Sequence, residues 1–89
     1  MILDVRTYTV IPRKLPQYVA LFEQHALPVM KRHGLELMGY YVSYIGPLNQ
    51  VVHLWRYDSL ADMEAKRASR DADPAWSEFL AMTEGLVLM

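Results

Sequence analysis

No cysteine occurs among the 89 residues, which excludes a disulfide framework, a thiolate metal site and a cysteine nucleophile. Nowhere do about 18 apolar residues follow one another, so no membrane-spanning helix is expected. The N-terminus, MILDVRTYTV, lacks the basic and then apolar pattern of a secretion signal, and a cytosolic location is the default. Charge of one sign is missing too. The formal net charge is -1, the pI is near 6.3, and Lys and Arg are scattered along the chain, which speaks against nucleic acid and anionic membranes as partners. No linker-like stretch divides the sequence, so residues 1-89 are read as one domain. What the chain does have is apolar side chains, 53% of it against 21% charged. A domain this small cannot bury so much within itself, and the excess predicts self-association into a homodimer or a higher homo-oligomer.

Catalytic signatures are equally scarce. There is no G-x-S-x-G, H-E-x-x-H, phosphate-binding glycine loop or dinucleotide fingerprint, so hydrolase, kinase and dehydrogenase readings lack support and no cofactor is expected. His25 and His33 stand eight apart with Pro28 between them, a poor chelating pair, and no metal site is expected.

Residues 2 to 11 alternate and are rich in β-branched and aromatic types, which predicts a first strand stopped by Pro12. Leu15, Tyr18, Val19, Phe22, Ala26, Val29 and Met30 recur at steps of three and four, the stripe of a helix that starts near Leu15 and stops at Gly34. Pro28 interrupts it, and a bend or break near residues 24 to 28 follows, which could also let His25 shape a pocket wall. Residues 35 to 45 and 50 to 57 read as two strands of a hairpin. A turn centred on Pro47 and Leu48 would pair Tyr44 with Val51, Val42 with His53, Tyr40 with Trp55 and Met38 with Tyr57. Ser59 with Asp62 predicts a capped helix start followed by a mostly solvated charged helix, and Asp73-Pro74 starts another helix with Trp76, Phe79, Leu80 and Thr83 inward. After Gly85, LVLM reads as a short last strand. The expected class is α+β, a ferredoxin-like βαββαβ subunit with a four-stranded antiparallel sheet. Two such sheets packed face to face would form a dimeric α+β barrel.

Four segments, DVRTYTV, LFEQHALPVMKRHG, GPLNQVVHLWRYDSLADME and DPAWSEFL, resemble the NIPSNAP family of the dimeric α/β-barrel superfamily, in order and over nearly the whole chain. Members usually continue past their last strand, whereas this sequence ends at Met89. The resemblance implies a ferredoxin-like subunit, a homo-oligomer and a cavity between helices and sheet, but no particular reaction. If strand parities match, Arg6, Tyr8, Tyr40, His53 and Trp55 share one sheet face. His53, Tyr8 and Arg6 are then the candidates for chemistry, with Tyr40, Trp55 and His25 as candidate ligand contacts. A guanidinium forks onto carboxylates, phenols donate hydrogen bonds, and an unperturbed histidine moves protons near neutral pH. The same face could instead be plain core or the subunit contact, since Tyr and Trp bury area while keeping a polar handle. Two functions follow. One is a homodimeric protein without catalysis of its own. The other is a small cofactor-independent enzyme, of monooxygenase or isomerase type, or a binder of a small aromatic or acidic compound.

Overall fold

A computed structural model of the chain describes residues 1–45 and 48–88. Strand β1 (Ile2–Thr9) sends Asp4, Arg6 and Tyr8 to one face and Leu3, Val5 and Thr7 to the other. Helix α1 (Leu15–Leu21) carries Pro16 in its first turn, where the missing amide has no intrahelical partner in any case. A π-helical turn (Phe22–Ala26) links it to α2 (Leu27–Arg32). This turn is the break that Pro28 imposes. Pro28 cannot donate to the Gln24 carbonyl; instead the widened turn lets the Leu27 N–H reach the Phe22 carbonyl, five residues back, and α2 restarts with Pro28 in its first turn. At the far end, Gly34 takes φ +79°, its N–H donates to the Lys31 carbonyl at 3.1 Å, and the Leu35 N–H donates to the Met30 carbonyl at 3.0 Å. This six-residue closure satisfies two orphan carbonyls and turns the chain into the sheet.

Strands β2 (Glu36–Val42) and β3 (Gln50–Tyr57) complete an antiparallel sheet of order β1-β3-β2. Their register differs from the expected one. Val42 lies opposite Val51 and Tyr40 opposite His53, a slip of two residues that keeps the side chains on their expected face. The Ser43 N–H donates to the Gln50 carbonyl at 3.0 Å, and Gly46 and Pro47 of the expected turn lie outside the described residues. The entry to β3 is held from the other side, by the Val10 N–H on the Asn49 carbonyl at 2.7 Å. A bulge between Leu37 and Gly39 then reverses the facing of the residues before it, so Leu37 stands opposite Trp55 under the helices and Met38 points outward. A Cβ on Gly39 would lie 2.7 Å from the Tyr41 ring, which would have to swing aside.

Helix α3 (Leu60–Asp71) starts as expected, with the Asp62 N–H donating to Ser59 Oγ at 3.1 Å and the Asp62 carboxylate accepting from the Asp58 N–H at 3.0 Å. Helix α4 (Pro74–Met82) is capped by Asp73, which accepts from the Ala75 N–H at 2.9 Å. Phe79 and Thr83 turn inward, whereas Leu80 is half exposed, because α4 is too short and too near the molecular edge to bury a full stripe. The helices cover one sheet face. Phe22, Met30, Trp55, Tyr57 and Phe79 form the main core there, and Val10, Tyr18, Val51 and Leu86 a second cluster at the other end. The expected last strand is reduced, among the described residues, to one antiparallel bridge between Val10 and Val87 beside the end of β1, with the Leu88 N–H on the Thr9 carbonyl at 2.7 Å. Among the described residues the sheet has three strands, not the expected four. No helix among the described residues is long and apolar enough to cross a membrane.

Candidate functional site

One row across the three strands organises the site: Arg6 faces His53 on one side, and Tyr40 faces it on the other. The next row places Asp4, Trp55 and Leu37 side by side. Because side chains of the same parity share a face, Tyr8, Tyr40 and Trp55 all close around His53, with ring centroids at 5.0, 5.6 and 5.9 Å. Phe22, carried on the π-helical turn, presses down on this cluster from above, 5.5 Å from the imidazole and 4.6 Å from the Tyr40 ring.

Between the helices and this row lies a cavity of about 370 Å³, within the range of small-molecule sites. Arg6, Tyr8, His53 and Trp55 line its sheet side, and Tyr18, Phe22 and Phe79 its helix side. Two expected residues stand apart. Tyr40 packs against His53 without lining the cavity, and His25, partly exposed, is not among its lining residues. The candidate face is covered by the chain's own helices, and Trp55 and Tyr57 on it belong to the main core.

His53 is held in one chemical state. The Trp55 indole can only donate, and it does so to His53 Nδ1 at 2.8 Å, so a neutral imidazole carries its proton on Nε2. Burial, helped by the nearby Arg6 guanidinium, pushes the imidazole down to about 4 from its usual 6.5. At neutral pH His53 is therefore a fixed hydrogen-bond donor, not the proton shuttle that its ordinary titration range suggests. Its Nε2 is buried and has no protein partner among the described residues, as is the Tyr40 hydroxyl. A buried donor left unpaired costs about 1–3 kcal/mol, which an acceptor in the cavity would recover. The phenols are donors as well: burial pushes Tyr18 up to about 12 and Tyr40 further still.

Charge enters from α3, which sequence reasoning left as a solvated helix. Met63, Arg67 and Arg70 follow at steps of four and three, and this spacing was the available signal that one edge of the charged helix faces inward. Arg70 lies over the Trp76 ring at 4.4 Å and donates to Asp71 at 2.8 Å; Arg67 lines the cavity with no hydrogen-bond or ion-pair partner among the described residues. On β1, Arg6 donates to Asp4 at 3.0 Å. His33 has a structural post: with Arg32 it binds Asp73 at 2.8 Å and ties the end of α2 to the start of α4, and those two partners and the Ala75 amide hold the Asp73 carboxyl well below the usual carboxylate range. Among the described residues no three His, Cys, Asp or Glu side chains are grouped to hold a metal.

An antiparallel sheet with helices on one face and a cavity between them makes this a small α+β protein. The chain belongs to the NIPSNAP family, whose model matches residues 3–89. It is 32% identical over 76 residues to the human Protein NipSnap homolog 3A, covering 84% of this chain and 30% of that protein. It is 35% identical over 80 residues to the Protein NipSnap homolog of Dictyostelium discoideum, covering 90% and 35% respectively. The chain thus spans about a third of the length of these curated relatives. Its structure matches that of protein Atu4242 from Agrobacterium tumefaciens with a TM-score of 0.95 and 37% identity, over 100% of this chain and 86% of that one. Atu4242 is described as a NIPSNAP family protein with unknown function. An uncharacterized NIPSNAP domain protein from Burkholderia xenovorans matches with a TM-score of 0.94 and 27% identity, over the same shares of the two chains.

Proposed function

We propose that this NIPSNAP domain binds a small molecule between its helices and sheet, without acid–base catalysis by His53. The observation that carries the reading is the Nε2–H of His53, a buried donor at the cavity wall whose tautomer Trp55 sets and whose only missing partner is an acceptor. Arg6, Tyr8, His53 and Trp55 are the contacts proposed for the ligand, with Tyr40 backing the imidazole. No cofactor is required for such binding. The enzyme alternative, a monooxygenase or isomerase of cofactor-independent type, asks for a group that exchanges protons near neutrality, and the state of His53 disfavours it in that role.

The same proposal includes a homodimeric α+β barrel built on a ferredoxin-like subunit, in a cytosolic setting. Leu3, Val5, Met38 and Tyr41 form an exposed apolar row across the outer face of the sheet, and a second copy of that row is its natural cover. Pairing would also extend the Val10–Val87 bridge into the fourth strand of the ferredoxin-like order. Nitrogen NMR of the His53 ring tests the first part: the expected spectrum shows a neutral ring protonated on Nε2 down to pH 5, and a ring titrating near 6.5 would sink the fixed-donor reading. Native mass spectrometry tests the second, with twice the subunit mass expected and a lone subunit mass counting against it.

A further inference from the structure

The structure assigns a class to the ligand: we propose that the cavity takes a small organic monoanion with a flat apolar body, its charge held by the Arg67 guanidinium on α3. The assignment rests on the small-molecule reading of that cavity and adds a charge to it. Five charged side chains line the space, Arg6, Arg67 and Arg70 against Asp4 and Glu84. Arg6 is matched by Asp4 at 3.0 Å and Arg70 by Asp71 at 2.8 Å, while Glu84 is exposed to solvent, where water screens it. Arg67 remains, a cation without a partner among the described residues. The groups form one cluster, since Asp4, Arg6, Arg67 and Arg70 all act on the buried Tyr57 hydroxyl.

An unpaired guanidinium at a cavity wall asks for an acceptor, and it prefers one that is charged and planar. A carboxylate meets that demand and a phosphate dianion does not, because only one unmatched positive charge is present. The remaining walls are aromatic. Phe22, Trp55, Trp76 and Phe79 offer ring faces and edges to a flat body, and Trp76 is already held in place under Arg70. Arg67 is the residue that decides anion over neutral, because it is the lining cation without a partner among the described residues.

The experiment is a calorimetric titration of the full chain at pH 7 with 2-naphthoate and with 2-naphthamide, which share a shape and differ in charge. Naphthoate is expected to bind at least about ten-fold more tightly. Arg67→Gln is expected to abolish the difference by weakening naphthoate alone, and Arg67→Lys to keep most of it; Arg67 sits on a partly exposed helix edge, so both variants should fold. Equal binding of the two probes, or a preference that survives Arg67→Gln, overturns the anion assignment and leaves the small-molecule reading standing. Binding of neither probe at millimolar concentration overturns both.

Discussion

The two faces of the sheet are built from the same three strands and differ in almost every physical respect. Toward the helices, Val51, His53, Trp55 and Tyr57 on β3 are at most 3% exposed; on the outside, Leu3 and Val5 of β1 are 49% and 58% exposed. Both faces are apolar in sequence, so hydrophobicity alone does not tell them apart. What separates them is where the polar atoms lie. The inner face carries Asp4, Arg6, His53 and several phenols, arranged around a cavity, while the outer face exposes Leu3, Val5, Met38 and Tyr41, with its charge gathered at one end in the Arg56–Glu36 pair. A mixed lining with unpaired donors suits a small ligand, and a plain apolar row suits a second protein surface.

Substitutions separate the two faces most sharply. The largest effect is expected for Phe22→Ala, which empties the joint between π-helical turn and sheet where Tyr18, Tyr40, His53, Trp55 and Phe79 meet. A loss of about 3–5 kcal/mol in urea unfolding is expected; a loss under about 1 kcal/mol would mean that this joint is not the core. Acid comes next. The folded His53 pKa of about 4 lies below the unfolded 6.5, so the unfolded chain binds the extra proton between those values. Stability from this group is full above pH 6.5 and falls as the pH drops toward 4, by about 3 kcal/mol at about 1.4 kcal/mol per pH unit. Unfolding curves at pH 7, 5.5 and 4.5 should show the decline, and His53→Gln should flatten it in that window.

Trp55→Phe leaves His53 Nδ1 without its donor at nearly unchanged ring volume. A cost of about 1–3 kcal/mol and a change in the ring-nitrogen spectrum are expected, and an unchanged tautomer would show that Trp55 does not set it. The smallest effect within one subunit is expected for Val5→Lys on the outer face, within about 0.5 kcal/mol at high dilution. Its consequence should appear in assembly instead: sedimentation should find single subunits where the unaltered chain forms pairs. If Val5→Lys unfolds the subunit, the outer face belongs to the core and the contrast between the faces collapses.

Much of this was legible in the chain, and the reasons differ residue by residue. Pro28 announced the break in the first helix because a missing amide is a local fact. Ser59, Asp73 and Gly34 announced their caps for the same reason. Alternation placed Arg6, Tyr8, Tyr40, His53 and Trp55 on one face, and they do share it. The register was misjudged because GPLN looks like a tight turn, whereas the β3 entry is held by Val10 on the far side of the strand. The bulge at Met38 escaped notice, since a register shift shows only in the pairing with β3. His25 was grouped with the pocket on the strength of Pro28, but a helix face is decided by the width of the turn beside it.

The sequence by itself determined the family, the α+β class, the helices and first three strands, and that Arg6, Tyr8, Tyr40, His53 and Trp55 share one sheet face. Local rules suffice for these, because caps, prolines and alternation act within a few residues. Only the tertiary structure decided that His53 lies under the helices rather than between subunits, that Trp55 holds its proton on Nε2, and that Arg67 reaches the same cavity from α3. Those depend on strand register, on the π-helical turn and on the depth at which α3 lies across the sheet. Each is set by the packing of distant segments against one another, and hydrogen-bond direction and charge balance exist only once that packing is in place.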